Sequence, residues 1–240
     1  MKKLTICIAG KSDIAVNGVL ENFYGFIFKN QELKGNFNLQ SNQLAVNDFM
    51  TTEADTKKET KAAEPMKIPA FLNCSLTAKA NTVLYDNLVL KNVSGKVIIK
   101  DQKVTLENGK TDIFGGSIAF NGDVSTKEKT PKFNMDLGLN NVDIMQTFTQ
   151  LEMMKKIAPI AGVINGKLNS KIKLSGNLNA TEMTPDLNSL SGDLLGQLLS
   201  TTVNSSNSTL LTALDDKLNF VDLKKLNLND LKAAITFKDG

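Results

Sequence analysis

The chain has 240 residues, and its 28 basic and 25 acidic side chains leave a formal net charge of +3 with the signs mixed along its length. That balance excludes a basic stripe for tracking phosphates, and an aromatic content of 6% without tryptophan offers little surface for base stacking, so no nucleic-acid partner is expected. Histidine is absent, which removes the commonest general base, the commonest metal ligand and the usual partner of a nucleophilic serine or cysteine.

The opening MKKLTICIAGKSDIAV imitates a signal peptide, but its apolar run stops at Gly10, at the short edge of the usual stretch of about 7–15 residues, and Lys11 and Asp13 follow closely. It reads as a strand. No run approaches the roughly 18 consecutive apolar residues of a membrane helix, so neither a signal nor a transmembrane segment is expected in this chain, which is expected to be soluble as it stands. Residues 1–50 read as β-structure continuing a larger sheet. Phe37 and Leu39 alternate with Asn36, Asn38 and Gln40, and Leu44 and Val46 resume the alternation after Ser41 and Asn42. Residues 51–68 carry mixed charge, small residues and Pro65 without an apolar period, and read as a flexible charged loop, a solvated insertion.

From residue 69 onward the strand pattern resumes, over 71–78 and 82–90 and then through 90–124. In that last stretch Val97 to Lys100 is followed by a turn at Asp101-Gln102, and Val104 to Leu106 by a hairpin-type signal at Glu107-Asn108-Gly109; Ser117 to Val124 follows Gly115-Gly116. No helical crossover fits between these runs, so they must pair antiparallel with their sequence neighbours. Residues 132–139 give the cleanest alternation, with Phe133, Met135, Leu137 and Leu139 on one face and Asn134, Asp136 and Gly138 on the other. The period then changes. Ile144, Phe148, Leu151 and Met154 or Ile157 recur at helical spacing over 143–158, with Asp143 placed to cap the start and Lys155-Lys156 in the last turn. Strand pattern returns over 162–178, where Leu168, Ile172 and Leu174 alternate with Lys167, Lys171 and Lys173. A strand over 191–203 and a helix over 206–218 complete the reading.

The fold expected is therefore mainly β with two or so helices: a long, curved antiparallel meander forming a groove-like or half-barrel layer, with the helices packed against it. Two internal echoes support an extendable sheet. A unit of polar residue, glycine, polar residue and apolar residue recurs at Gly35, Gly95, Gly122, Gly166 and Gly176, and glycine within a strand marks a bulge, a bend or a close backbone approach. The longer echo matches residues 226–240 to residues 88–102, as though a further hairpin should follow and the chain were a piece of a longer protein.

Catalytic and cofactor chemistry find no constellation. Asp101, Asp112, Asp123 and Asp143 are scattered over turns and caps with no spacing that pairs an acid with a base. Cys7 and Cys74 lie in separate apolar runs without metal-ligand spacing and read as two structural thiols, although their spacing leaves a disulfide open. No enzyme, metal or cofactor is expected. The apolar candidates are Ile118, Phe120, Phe133, Met135, Leu137, Leu139, Ile172 and Leu174. They suit either the lining of an open groove or an ordinary sheet core covered by the helices, and residue by residue the covered core is favoured.

The order of features in residues 68–240, with Gly115-Gly116 before a strand ending in Asn121-Gly122, then the helix, then GKLNSKIKLSGNL and the closing LNDLKAAITFKDG, resembles the C-terminal region of AsmA-like proteins of the bacterial envelope. No single motif in it is specific. Such proteins are similar to bridge-like lipid-transfer proteins, whose long curved sheet lines an apolar groove. The resemblance implies a periplasmic body, an inner-membrane anchor lying outside this chain, phospholipid acyl chains as the cargo and a role in outer-membrane homeostasis. The alternative is a structural or protein-binding module of the envelope with a closed core.

Overall fold

The computed structural model describes residues 3–4, 11–48, 65–150, 164–203 and 231–240. Eleven strands form one open sheet: β1 (Lys3–Leu4), β2 (Ala15–Glu21), β3 (Leu33–Ala45), β4 (Leu72–Tyr85), β5 (Leu88–Lys100), β6 (Lys103–Ile113), β7 (Gly116–Ser125), β8 (Lys132–Asp143), β9 (Ile164–Asn177), β10 (Ser191–Val203) and β11 (Lys232–Phe237). Their spatial order is their sequence order throughout. Helices α1 (Phe23–Lys29) and α2 (Ile144–Gln150) are short and sit at strand ends. The mainly β, groove-like sheet expected from the period-two patterning is the fold observed. The strand expected over 191–203 is β10.

Pairing is antiparallel except between β3 and β4, which run parallel with Leu33 opposite Leu72 and Leu44 opposite Val83. A uniform meander does not anticipate this. A parallel neighbour needs a crossover of a dozen or more residues to return the chain to the same end of the sheet, and residues 46–71 provide it. Most of the expected charged loop lies outside the described residues, but its last part is tied down. The N–H of Met66 donates to the Ala180 carbonyl at 2.7 Å, and the N–H of Ile68 to Thr126 Oγ1 at 2.9 Å. Lys67 Nζ donates to the carbonyls of Thr126 and Glu128 at 2.6 and 2.7 Å. Residues 66–71 thus form a strap across the strand ends, its last part a turn in which the N–H of Leu72 donates to the Pro69 carbonyl at 3.3 Å.

Local chemistry explains where strands break and where they only bend. Asp101 and Gln102 both have positive φ and close the β5–β6 hairpin, as their sequence suggests. The Asn108-Gly109 pair, expected as a turn, is instead a bulge inside β6, where the register with β7 slips between Leu106 and Gly109. Asn108 takes the left-handed conformation at φ 53°, and its N–H donates to Asn121 Oδ1 at 2.7 Å. At Gly109 a Cβ would stand 2.6 Å from the Phe120 carbonyl oxygen, so glycine is what lets β7 approach. The hairpin turn falls at Phe114-Gly115. Asn92 and Asn141 repeat the device. Each has positive φ beside a register slip, one answered by Asp112 and the other by the Asn169 side chain. Bulges of this kind bend strands and coil a sheet. The break expected between residues 78 and 82 is absent, because β4 runs through it as one strand.

Among the described residues the large buried side chains lie near the strand ends, while mid-strand burial falls on small residues such as Ala80 and Ser170. Val142 and Ile144, 0% and 2% exposed, join Phe114 beneath the start of α2. Asp143 caps that helix, accepting from the N–H of Gln146 at 2.8 Å. The opposite end buries Thr126, Pro131 and Leu178 near the strap. Of the expected helix over 143–158, residues 144–150 are helical and the rest lies outside the described residues, as does the helix expected over 206–218. Residues 1–50 are not all β. The aromatic run after Glu21 forms α1, bracketed by Asn22 and Asn30, both left-handed.

Candidate functional site: an apolar sheet face

Side chains of directly opposed residues lie on one face of a sheet, so the register sorts the molecule into two surfaces. Ile118 faces Leu139 and Phe120 faces Leu137 between β7 and β8. Met135 faces Leu174 and Leu137 faces Ile172 between β8 and β9. Phe133 stands opposite Val124 on one side and Gly176 on the other. All eight apolar candidates therefore form one contiguous patch over three adjacent strands. Each is partly exposed and none is fully buried.

The patch continues in both directions. Through β6, β5 and β4 it runs over Val104 and Leu106, Val97 and Ile99, then Cys74 and Leu76. Parallel pairing carries it on to Phe37 and Leu39, and from there to Val16 and Leu20 on β2. Beyond β9 it passes over Leu194 to Ile235, with Phe237 next to Gly192. The longer echo is visible here, because the matched pairs Val97 and Ile235, and Ile99 and Phe237, lie on the same face. Sequence patterning names the centre of this surface and Phe37 and Leu39 near its edge, and the alternation of Val104 and Leu106 with Lys103 and Thr105 in β6 is a further signal, whereas the Leu-Leu pairs of β10 carry none. From Phe133 to Leu139 the apolar run is about 20 Å long, against about 15 Å for one leaflet of a bilayer's hydrocarbon core. A hollow of about 210 Å³ opens on this face, lined by Val104, Leu106, Phe120, Val124, Phe133 and Met135.

The opposite face is polar: Asn134, Asp136, Lys171 and Lys173 alternate with the apolar set. Lys103 pairs with Asp123 at 3.0 Å and Lys167 with Asp143 at 3.6 Å, exposed pairs worth about 0–1 kcal/mol each. A larger hollow of about 840 Å³ lies on that face over Ala119, Gly138, Leu195 and Ala234, rimmed by Lys110, Lys171 and Lys232.

The carboxylates have structural partners. Asp112 accepts from the Asn92 amide, Asp123 from Asn134, and Asp143 from the start of α2. Asp13 is the most heavily bonded, accepting the N–H groups of Gln43 and Asn42 at 2.6 and 2.9 Å together with the side chains of Ser41 and Asn42. The bond from the Gln43 N–H is the largest cause of a carboxyl pKa below its ordinary 3.8. Asp13 thereby ties the segment before β2 to residues 41–43 of β3. Among the described residues no three His, Cys, Asp or Glu side chains converge on a metal site. Cys74 is a free, half-buried thiol, with Sγ 3.5 Å from the Leu33 carbonyl oxygen, and Cys7 lies outside the described residues. No helix among them is long and apolar enough to cross a membrane. No family model, curated protein or solved structure matches the chain.

Proposed function

We propose that this chain is a segment of an AsmA-like envelope protein whose open β-groove carries phospholipid acyl chains between the inner and outer membranes, supporting outer-membrane homeostasis without an enzymatic step. The observation that carries the reading is the apolar face that crosses from β2 to β11 while its central residues stay partly exposed. An ordinary core of this area would bury such side chains, since each Leu, Ile, Phe or Met brought fully out of water contributes about 1.5–3 kcal/mol. Acyl chains would cover the face in their place. Hydrogen-bonded strands suit that role because they present no unsatisfied backbone groups to hydrocarbon. The parent protein on this reading is periplasmic and held at the inner membrane by a part outside these residues.

The test is photo-crosslinking in cells from positions 133 and 137 on the apolar face, with position 134 on the polar face as control. The expected result is phospholipid adducts at the first two positions and none at the third. Adducts to a single protein in place of lipid would support a structural or protein-binding module with a covered face and overturn the groove.

A further inference from the structure

Helix α1 does not behave as a core element. Phe23, Tyr24, Ile27 and Phe28 are 54%, 66%, 50% and 68% exposed, although such side chains normally seek burial. Phe26 is the member turned inward, its ring 5.3 Å from that of Phe71. The helix is apolar on every side, with no polar stripe before Lys29. An all-apolar helix belongs in a protein interior or in lipid, and here the interior holds only one of its large side chains. Lys29 lies at its C-terminal end with Nζ 6.0 Å from the centre of the Tyr24 ring, a long amphipathic side chain beside aromatics, as at membrane interfaces. Position completes the argument. The helix starts three residues after Leu20 of the apolar face, past Glu21 and Asn22, and Phe71 and Met66 of the strap add exposed apolar surface at the same end of the sheet.

We infer that α1 and the adjoining strap form a bilayer-contacting tip, inserting Phe23, Tyr24, Ile27 and Phe28 into the interfacial zone of a phospholipid membrane beside the rim of the apolar face. The tip would let acyl chains pass between bilayer and sheet without crossing water. This purpose rests on the groove reading, but contact with the bilayer is measurable without it.

Because the chain has no tryptophan, Tyr24→Trp places a single reporter on the tip. On mixing with vesicles of phosphatidylcholine and phosphatidylglycerol, its emission should shift to the blue, and acyl-brominated phospholipid should quench it. Phe28→Asp in that background should weaken vesicle partition about tenfold or more while leaving the circular dichroism and the lipid retained on purification unchanged. Emission indifferent to vesicles, or equal partition by Phe28→Asp, overturns the tip. Vesicle binding by a protein that retains no lipid leaves the tip standing and counts against the groove.

Discussion

The strand ends and the middle of the sheet are made of the same residue types put to different uses. At the ends, Val142, Ile144, Phe114 and Leu178 are sealed under turns and the start of a helix. In the middle, Leu137, Ile172 and Phe133 are paired across strands yet still partly exposed. The large, fully buried side chains thus cluster at the strand ends, and the broad apolar face between them keeps part of its surface in solvent.

That contrast can be broken in graded steps. Ile144→Ala should be the most damaging, lowering unfolding free energy by about 2–5 kcal/mol because the site beneath α2 cannot collapse around the missing atoms; urea denaturation measures it. Gly109→Ala should follow at about 1–3 kcal/mol, since the added methyl meets the Phe120 backbone and ring and forces the bulge to shift. Leu137→Ser should cost about 1–2 kcal/mol by the same assay while clearly reducing the lipid retained on purification, detected by mass spectrometry. A cost as large as that of Ile144→Ala would mean that the middle of the sheet is core after all.

The gentlest probe is Asp13→Asn. Because folding lowers the pKa of Asp13, its carboxylate stabilises the fold above the unfolded value and loses that contribution as pH falls through the folded value, below 3.8. The variant should be less stable than the parent at neutral pH, and the gap should close in strong acid, as followed by thermal melts across pH.

Much of this arrangement was legible from residue order. Alternation placed Phe133 to Leu139 and Ile172 and Leu174 on one face, and Asp143 announced the start of α2. Other features were not, for reasons particular to each. FYGFIFK is rich in β-favouring aromatics and has no amphipathic period, so nothing local marks it as helix; the left-handed Asn22 and Asn30 and the Phe26–Phe71 contact decide its form. Asn108-Gly109 satisfies a tight turn and a bulge equally well, because both need a left-handed residue before a bare α-carbon, and only the approach of Phe120 selects the bulge. Period-two patterning specifies a face but carries no direction, so the parallel β3–β4 pair could not be read from it.

The sequence by itself determined that this would be a one-faced sheet with a polar reverse, since strand periodicity is a local property of successive residues. The tertiary structure decided the parallel β3–β4 pair, the bulges that set each register, and that the apolar stripes align from β2 to β11 into one surface. Those outcomes depend on register across residues far apart in the chain, set by bulges, turns and the strap, and no local pattern encodes them.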